Sequence, residues 1–159
     1  DADQGTIKGL EASYQQFLFF LPAPLDGLGI SSNIALMSSS VEVPSRPGED
    51  LPFFGQSDMV YNLIPFFQRA GFELRVAIAH QSAYLDGLGG EAYEDEYVND
   101  RTTIDVTSRY SFMDDRLEVS AQVRNLTNEP ETGYQGVEER YNQHIVTGRT
   151  VVLGVSVSI

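Results

Sequence analysis

Side chains alternate apolar and polar along most of this chain, and that period of two constrains the fold more than any other feature. Such alternation describes a strand with two unlike faces. Val151, Leu153, Val155, Val157 and Ile159 share one side, with Val152, Gly154, Ser156 and Ser158 on the other. Leu117, Val119, Ala121 and Val123 alternate with Glu118, Ser120, Gln122 and Arg124. Phe72, Leu74, Val76 and Ile78 alternate in the same way with Glu73, Arg75, Ala77 and Ala79. Further strands are predicted near Thr6–Phe20, Gly27–Val43, Asp58–Gln68 and Thr102–Phe112, giving about seven, and helical periodicity is weak throughout.

The connections alternate between short and long. Leu21–Asp26, Arg69-Ala70-Gly71 and Met113-Asp114-Asp115 are short, whereas 44–55, 86–99 and 127–144 are long and hold most of the turn-forming and acidic residues. In an up-and-down meander this places every short turn at one end and every long loop at the other, which is the polarity of a transmembrane β-barrel. A 17-residue strand over Gly27–Val43 would reach about 55 Å, more than an apolar band of about 25 Å requires, so such strands are expected to project above a membrane. A small complete eight-stranded barrel, serving as an adhesin or structural protein, would suit the length, but no eighth strand is found. A soluble β-sandwich that binds carbohydrate through its aromatic loops is the alternative of a different class. On the barrel reading, arginine is expected to impair folding at Val119 and to be tolerated at Ser120.

Composition narrows the function. Ten basic against 23 acidic residues give a net charge of −13, which disfavours binding to phosphate backbones, so no nucleic-acid partner is expected. The absence of Cys removes thiol chemistry and Cys-based metal sites. No Gly-x-Ser-x-Gly elbow, His-Glu-x-x-His or phosphate-loop signature is present, so the chain is not expected to be an enzyme or to carry a cofactor. His80 and His144 offer no metal-ligand spacing. Glu91, Glu94, Asp95, Glu96 and Asp100 fit no Ca²⁺-loop pattern and are expected to form a solvated loop with Gly87-Leu88-Gly89-Gly90. Tyr84, Tyr93, Tyr97, Tyr134, Tyr141 and His144 lie in or beside the long loops and are the candidate ligand-binding residues, because their faces and hydroxyls suit a sugar or an organic chelate. Phe19, Phe20, Phe66, Phe67, Tyr110 and Phe112 lie near strand ends and suit an interfacial girdle. Pro65, inside a strand, is expected at a bulge or with its missing donor turned away from a partner.

Gly5-Thr6-Ile7-Lys8-Gly9-Leu10-Glu11, Tyr14-Gln15-Gln16, Leu21-Pro22-Ala23-Pro24-Leu25-Asp26-Gly27-Leu28, Leu51-Pro52, Gly55-Gln56-Ser57, Tyr84-Leu85-Asp86, Asn125-Leu126-Thr127-Asn128-Glu129-Pro130 and Gly148-Arg149-Thr150 follow one another in an order that resembles the C-terminal part of a TonB-dependent outer-membrane receptor. The resemblance covers essentially residues 1–159. It implies an all-β, antiparallel, up-and-down transmembrane portion of about seven strands, roughly the last third of a plugged barrel of about 22. The plug domain and N-terminal strands have no counterpart in this chain. The implied function is part of an outer-membrane active transporter of a Gram-negative bacterium, importing a scarce solute such as a carbohydrate or siderophore with TonB-coupled energy. The implied partners are the remaining strands and plug, the TonB protein through the missing N-terminal part, outer-membrane lipid and an unidentified small molecule. Barrels of this kind usually finish on an aromatic residue, whereas this chain finishes on Ile159.

Overall fold

A computed structural model of the chain describes residues 4–113 and 116–158. Asp114, Asp115 and Ile159 therefore lie outside the described residues. Over the described residues the protein is all-β and antiparallel, with two sheets and two single turns of 3₁₀ helix at Leu25–Gly27 and Ala92–Glu94. The seven anticipated strands are β1 (Gln4–Phe17), β2 (Leu28–Glu42), β3 (Met59–Arg69), β4 (Phe72–Gln81), β7 (Arg101–Phe112), β8 (Leu117–Arg124) and β11 (Thr150–Val157). They form one meander in the order β1-β2-β3-β4-β7-β8-β11, and the sheet is open, with β1 and β11 at its edges.

The long connections are not structureless. They contribute β5 (Tyr84–Gly87), β6 (Glu96–Val98), β9 (Glu131–Gln135) and β10 (Val137–Ile145), which pair as a second sheet in the order β10-β9-β6-β5. This order copies that of the main sheet, because β5 follows β4, β6 precedes β7, β9 follows β8 and β10 precedes β11. The second sheet thus carries four strands of the first past short breaks, the longest being the turn after β8. Projection was expected of 27–43, and β2 does run on past the end of β3, with Met37–Glu42 paired to β1; these four strands extend the other side of the sheet in the same way.

The strand register sorts the main sheet into two faces. One cross-strand row runs Val76, Val106, Val123, Val151, and another runs Phe72, Tyr110, Val119, Val155. On the same side lie Leu10, Ile34, Leu36, Leu63, Leu74, Ile78 and Leu153. The opposite side carries rows such as Ser13, Asn33, Asn62, Ala79, Thr103 and Glu73, Arg109, Ser120, Gly154. Glu73 pairs there with Arg75 and, at 2.9 Å, with Arg109. Two unlike faces in unbroken register across all seven strands leave no room for a one-residue slip, which would exchange the two sets.

The apolar face is open. Leu153 is 78% exposed, Val155 72% and Leu10 67%, while the buried hydrophobic residues among those described are Val41, Leu51, Phe66, Leu85 and Val98, none of which lies on that face. A sandwich would bury it against a second apolar layer, and the second sheet does not cover it.

Aromatic side chains bracket this face. Phe67, Phe72, Tyr110 and Phe112 lie at the short-turn end, with Phe67 and Phe72 centred 6.1 Å apart and Tyr110 and Phe112 5.5 Å apart. Tyr61 stacks on His80 at the other end, 4.9 Å between centroids. Phe72 to His80 spans about 26 Å along the strand, or about 19–22 Å of height at tilts of 35–45°, close to the roughly 25 Å apolar band of outer-membrane barrels.

Three details depart from the sequence expectations. Phe66 belongs to the opposite face: it covers Gly29, where a side chain would strike its ring, and meets Phe17 edge-on at 4.9 Å beneath the Arg75 guanidinium. Phe19 and Phe20 lie in the connection after β1 with exposed rings. Pro65 sits in a central strand with no bulge; the register with β4 is the same on both sides of it, and pairing lapses only at Ile64 and Pro65. Its lost donor therefore faces a partner, and the intact ladder to β2 holds the strand in place. Val119 and Ser120 fall on the apolar and polar faces respectively, as the alternation predicts, Val119 beside Tyr110 and Ser120 beside Arg109.

Candidate functional site

The long-loop end is built around one buried ion pair. Arg46, in the connection after β2, donates two hydrogen bonds to Asp95 at 2.6 and 2.7 Å and also pairs with Glu49. Asp95 accepts a further bond from the Gly89 amide at 3.0 Å, and its carbonyl accepts the Gly136 amide at 2.8 Å. Asp95 is consequently among the most buried side chains, not the solvated acid expected for that cluster. The glycine run supplies the close backbone approach: a side chain at Gly89 would collide with Glu94.

Arg46 belongs to a segment folded over the polar side of the main sheet. The Phe53 ring rests on Gly5, and the Phe53 amide donates to Ser39 Oγ at 3.0 Å, both residues belonging to the polar face. The Gly55 amide then donates to the Leu85 carbonyl at 2.8 Å, where the Leu85 side chain is fully buried. One segment therefore bridges the polar face and the second sheet.

On the second sheet, Leu85, Tyr97, Tyr134 and Tyr141 form a single cross-strand row. Tyr97 and Tyr134 stack nearly parallel, 5.0 Å between centroids and 10° between planes. Thr132 and His144 pair across the same face as Tyr134. The Arg46–Asp95 pair ties the bridging segment to the start of β6, two residues before Tyr97. Burial, reinforced by Asp95 and opposed by Arg46, holds the Tyr97 phenol above the usual range; burial together with Tyr97 and Glu138 does the same for Tyr134.

The six candidates thus separate. Tyr97, Tyr134, Tyr141 and His144 share one face, while Tyr84 pairs with Val98 on the reverse side, where burial, Asp86 and Glu131 raise its pKa. Tyr93 stands apart in the 3₁₀ turn, its carbonyl accepting from Arg140 at 3.0 Å. Because Tyr97 and Tyr134 spend their facing surfaces on each other, they offer ring edges and hydroxyls; the 63% exposed Tyr141 keeps an open ring. His80 and His144 lie in different sheets, and no cluster of His, Asp and Glu able to hold a metal occurs among the described residues.

Sequence reading missed two features here. Asn125 is buried with a positive φ of 53°, and its amide donates to the carbonyls of Glu129 at 3.1 Å and Gly148 at 3.3 Å, tying the turn after β8 to the approach of β11. Asn125-Leu126-Thr127 also matches a glycosylation acceptor pattern, and that use of the amide is incompatible with a glycan there. The other feature is a 560 Å³ hollow between the bridging segment and Leu88, whose lining is mostly apolar. Comparison of the chain with protein-family models, curated proteins and solved structures gives no match.

Proposed function

We propose that this chain is wall and external loops from the C-terminal portion of a TonB-dependent outer-membrane receptor, an active transporter that binds and imports a scarce solute. One observation carries the membrane part of this reading: an exposed, predominantly apolar, aromatic-bracketed face in register across all seven strands, backed by a more polar face that carries ion pairs and amides. A hydrocarbon layer is the solvent such a face requires, and a water-filled or plugged lumen suits the other. The open edges at β1 and β11 support a piece of a larger barrel, because unpaired strand edges are not tolerated in lipid. Receptor identity and TonB coupling rest on the order of sequence motifs. The ligand side is the face bearing Tyr97, Tyr134, Tyr141 and His144, above the polar face, and the chain's role there is binding and passage rather than catalysis.

Gel migration with and without heating, after refolding in detergent and in plain buffer, tests this reading. A receptor piece lacking its partner strands gives no stable compact species in either medium. A compact heat-sensitive band only in detergent would mean a self-sufficient small barrel, and a folded species in buffer would mean a soluble sandwich.

A further inference from the structure

We propose that the hollow at the long-loop end is a binding site for a small ring-bearing molecule that is neutral or cationic. Val41, Val43, Pro44, Phe53, Phe54 and Leu88 line it, with Ser45 as its one hydroxyl-bearing wall, and its 560 Å³ lies within the range of small-molecule pockets. Val41 belongs to the face that carries Glu73, Arg75, Asn33 and Asn62, and at its end, on the side of Ile7 and Met37, three chain segments meet to create an apolar concavity. Phe54 is 50% exposed at its rim, so part of a large aromatic ring faces solvent without a partner.

The walls are held in place from behind. Arg46, next to the lining residue Ser45, is clamped by Asp95 and Glu49, and Asp95 in turn fixes Gly89, next to the lining residue Leu88. The two sides of the hollow are therefore tied through a single buried carboxylate, which preorganises the gap and lowers the cost of ordering on binding. Charge selects the occupant. Residues 86–100, which contribute Leu88, contain Asp86, Glu91, Glu94, Asp95, Glu96 and Asp100 and no basic residue. Arg46, the only cation of the bridging segment 44–58, is already neutralised, so an anion entering here would meet a negative field with no free counter-charge.

The proposal rests on the barrel reading only for its membrane setting. Its test uses the intact outer-membrane protein carrying this chain, in detergent, with three fluorinated benzyl probes: an alcohol, a trimethylammonium and a carboxylate. Binding is read by ¹⁹F line broadening. The alcohol and the ammonium should bind, with Phe54→Ala weakening both by about threefold to tenfold, the range expected for one aromatic contact. Leu88→Trp, which fills the gap, should abolish binding. Equal binding by wild type and both variants, carboxylate binding as tight as the ammonium's, or no binding of any probe would overturn it. Heat-modifiable migration of the same samples separates this failure from failure of the barrel reading: probes lost with the heat-sensitive band intact refute only the pocket.

Discussion

Arginine placed at two consecutive positions of β4 should have opposite consequences. Val76 lies midway between Phe72 and His80 on the apolar face, in a row with Val106, Val123 and Val151, whereas Ala77 points to the other side and pairs with Asp105. A cation on the lipid face at mid-depth costs about 2–4 kcal/mol, which converts to a loss of roughly 30-fold to 1000-fold in the folded-to-unfolded ratio. Ala77→Arg carries the same charge and bulk but enters the polar face beside a carboxylate, so its cost should stay below about 1 kcal/mol. Val119→Arg should fall between them, because Val119 adjoins the girdle residue Tyr110 and the cost fades toward the interface. The assay is urea-dependent folding of the protein carrying this chain into phospholipid vesicles, followed by the heat-sensitive band. Similar midpoints for Val76→Arg and Ala77→Arg would refute the assignment of faces.

Other outcomes follow from particular contacts. Asp95→Asn should expose residues 44–58 to limited proteolysis while leaving the main sheet protected, and Arg46→Met with Asp95→Leu together should be milder than either alone, since neither then leaves an unpaired buried charge. Gly29→Ala should destabilise by about 1–3 kcal/mol through collision with Phe66, and Phe66→Leu in the same molecule should recover part of the loss in a urea titration. Tyr97 and Tyr134 should ionise above the usual phenol range in an ultraviolet pH titration, a component missing from Tyr97→Phe and Tyr134→Phe. With both folded-state pKa values raised, their contribution to the second sheet is complete below the unfolded value of about 10 and is lost as pH rises through the folded values.

The main sheet was legible because its signal is local: Phe72–Ile78, Leu117–Val123 and Val151–Val157 alternate with only Ala77 and Val152 out of pattern, and strands of that kind pair in only one register. The second sheet was not. Glu96–Val98 is three residues long and Tyr84–Gly87 four, too short for periodicity, and β10 pairs with β9 through two register shifts that break its alternation. Side-chain direction was equally hidden. Tyr84 and Tyr97 look alike in sequence, and only the pairing of Leu85 with Tyr97 places them on opposite faces. Likewise the fate of Asp95 depends on Arg46, 49 residues away, a separation that no local pattern encodes.

The central claim is that the exposed apolar face meets lipid, and the absence of cysteine from the chain allows it to be tested residue by residue. Single cysteines from Phe72 to His80, spin-labelled in the vesicle-inserted protein, would be probed with oxygen, which concentrates in lipid, and with a water-soluble nickel chelate. Oxygen accessibility should peak at Leu74, Val76 and Ile78 and fall at Glu73, Arg75 and Ala77, with the nickel chelate showing the reverse. A profile without that alternation, or nickel access to both sets, would contradict the account.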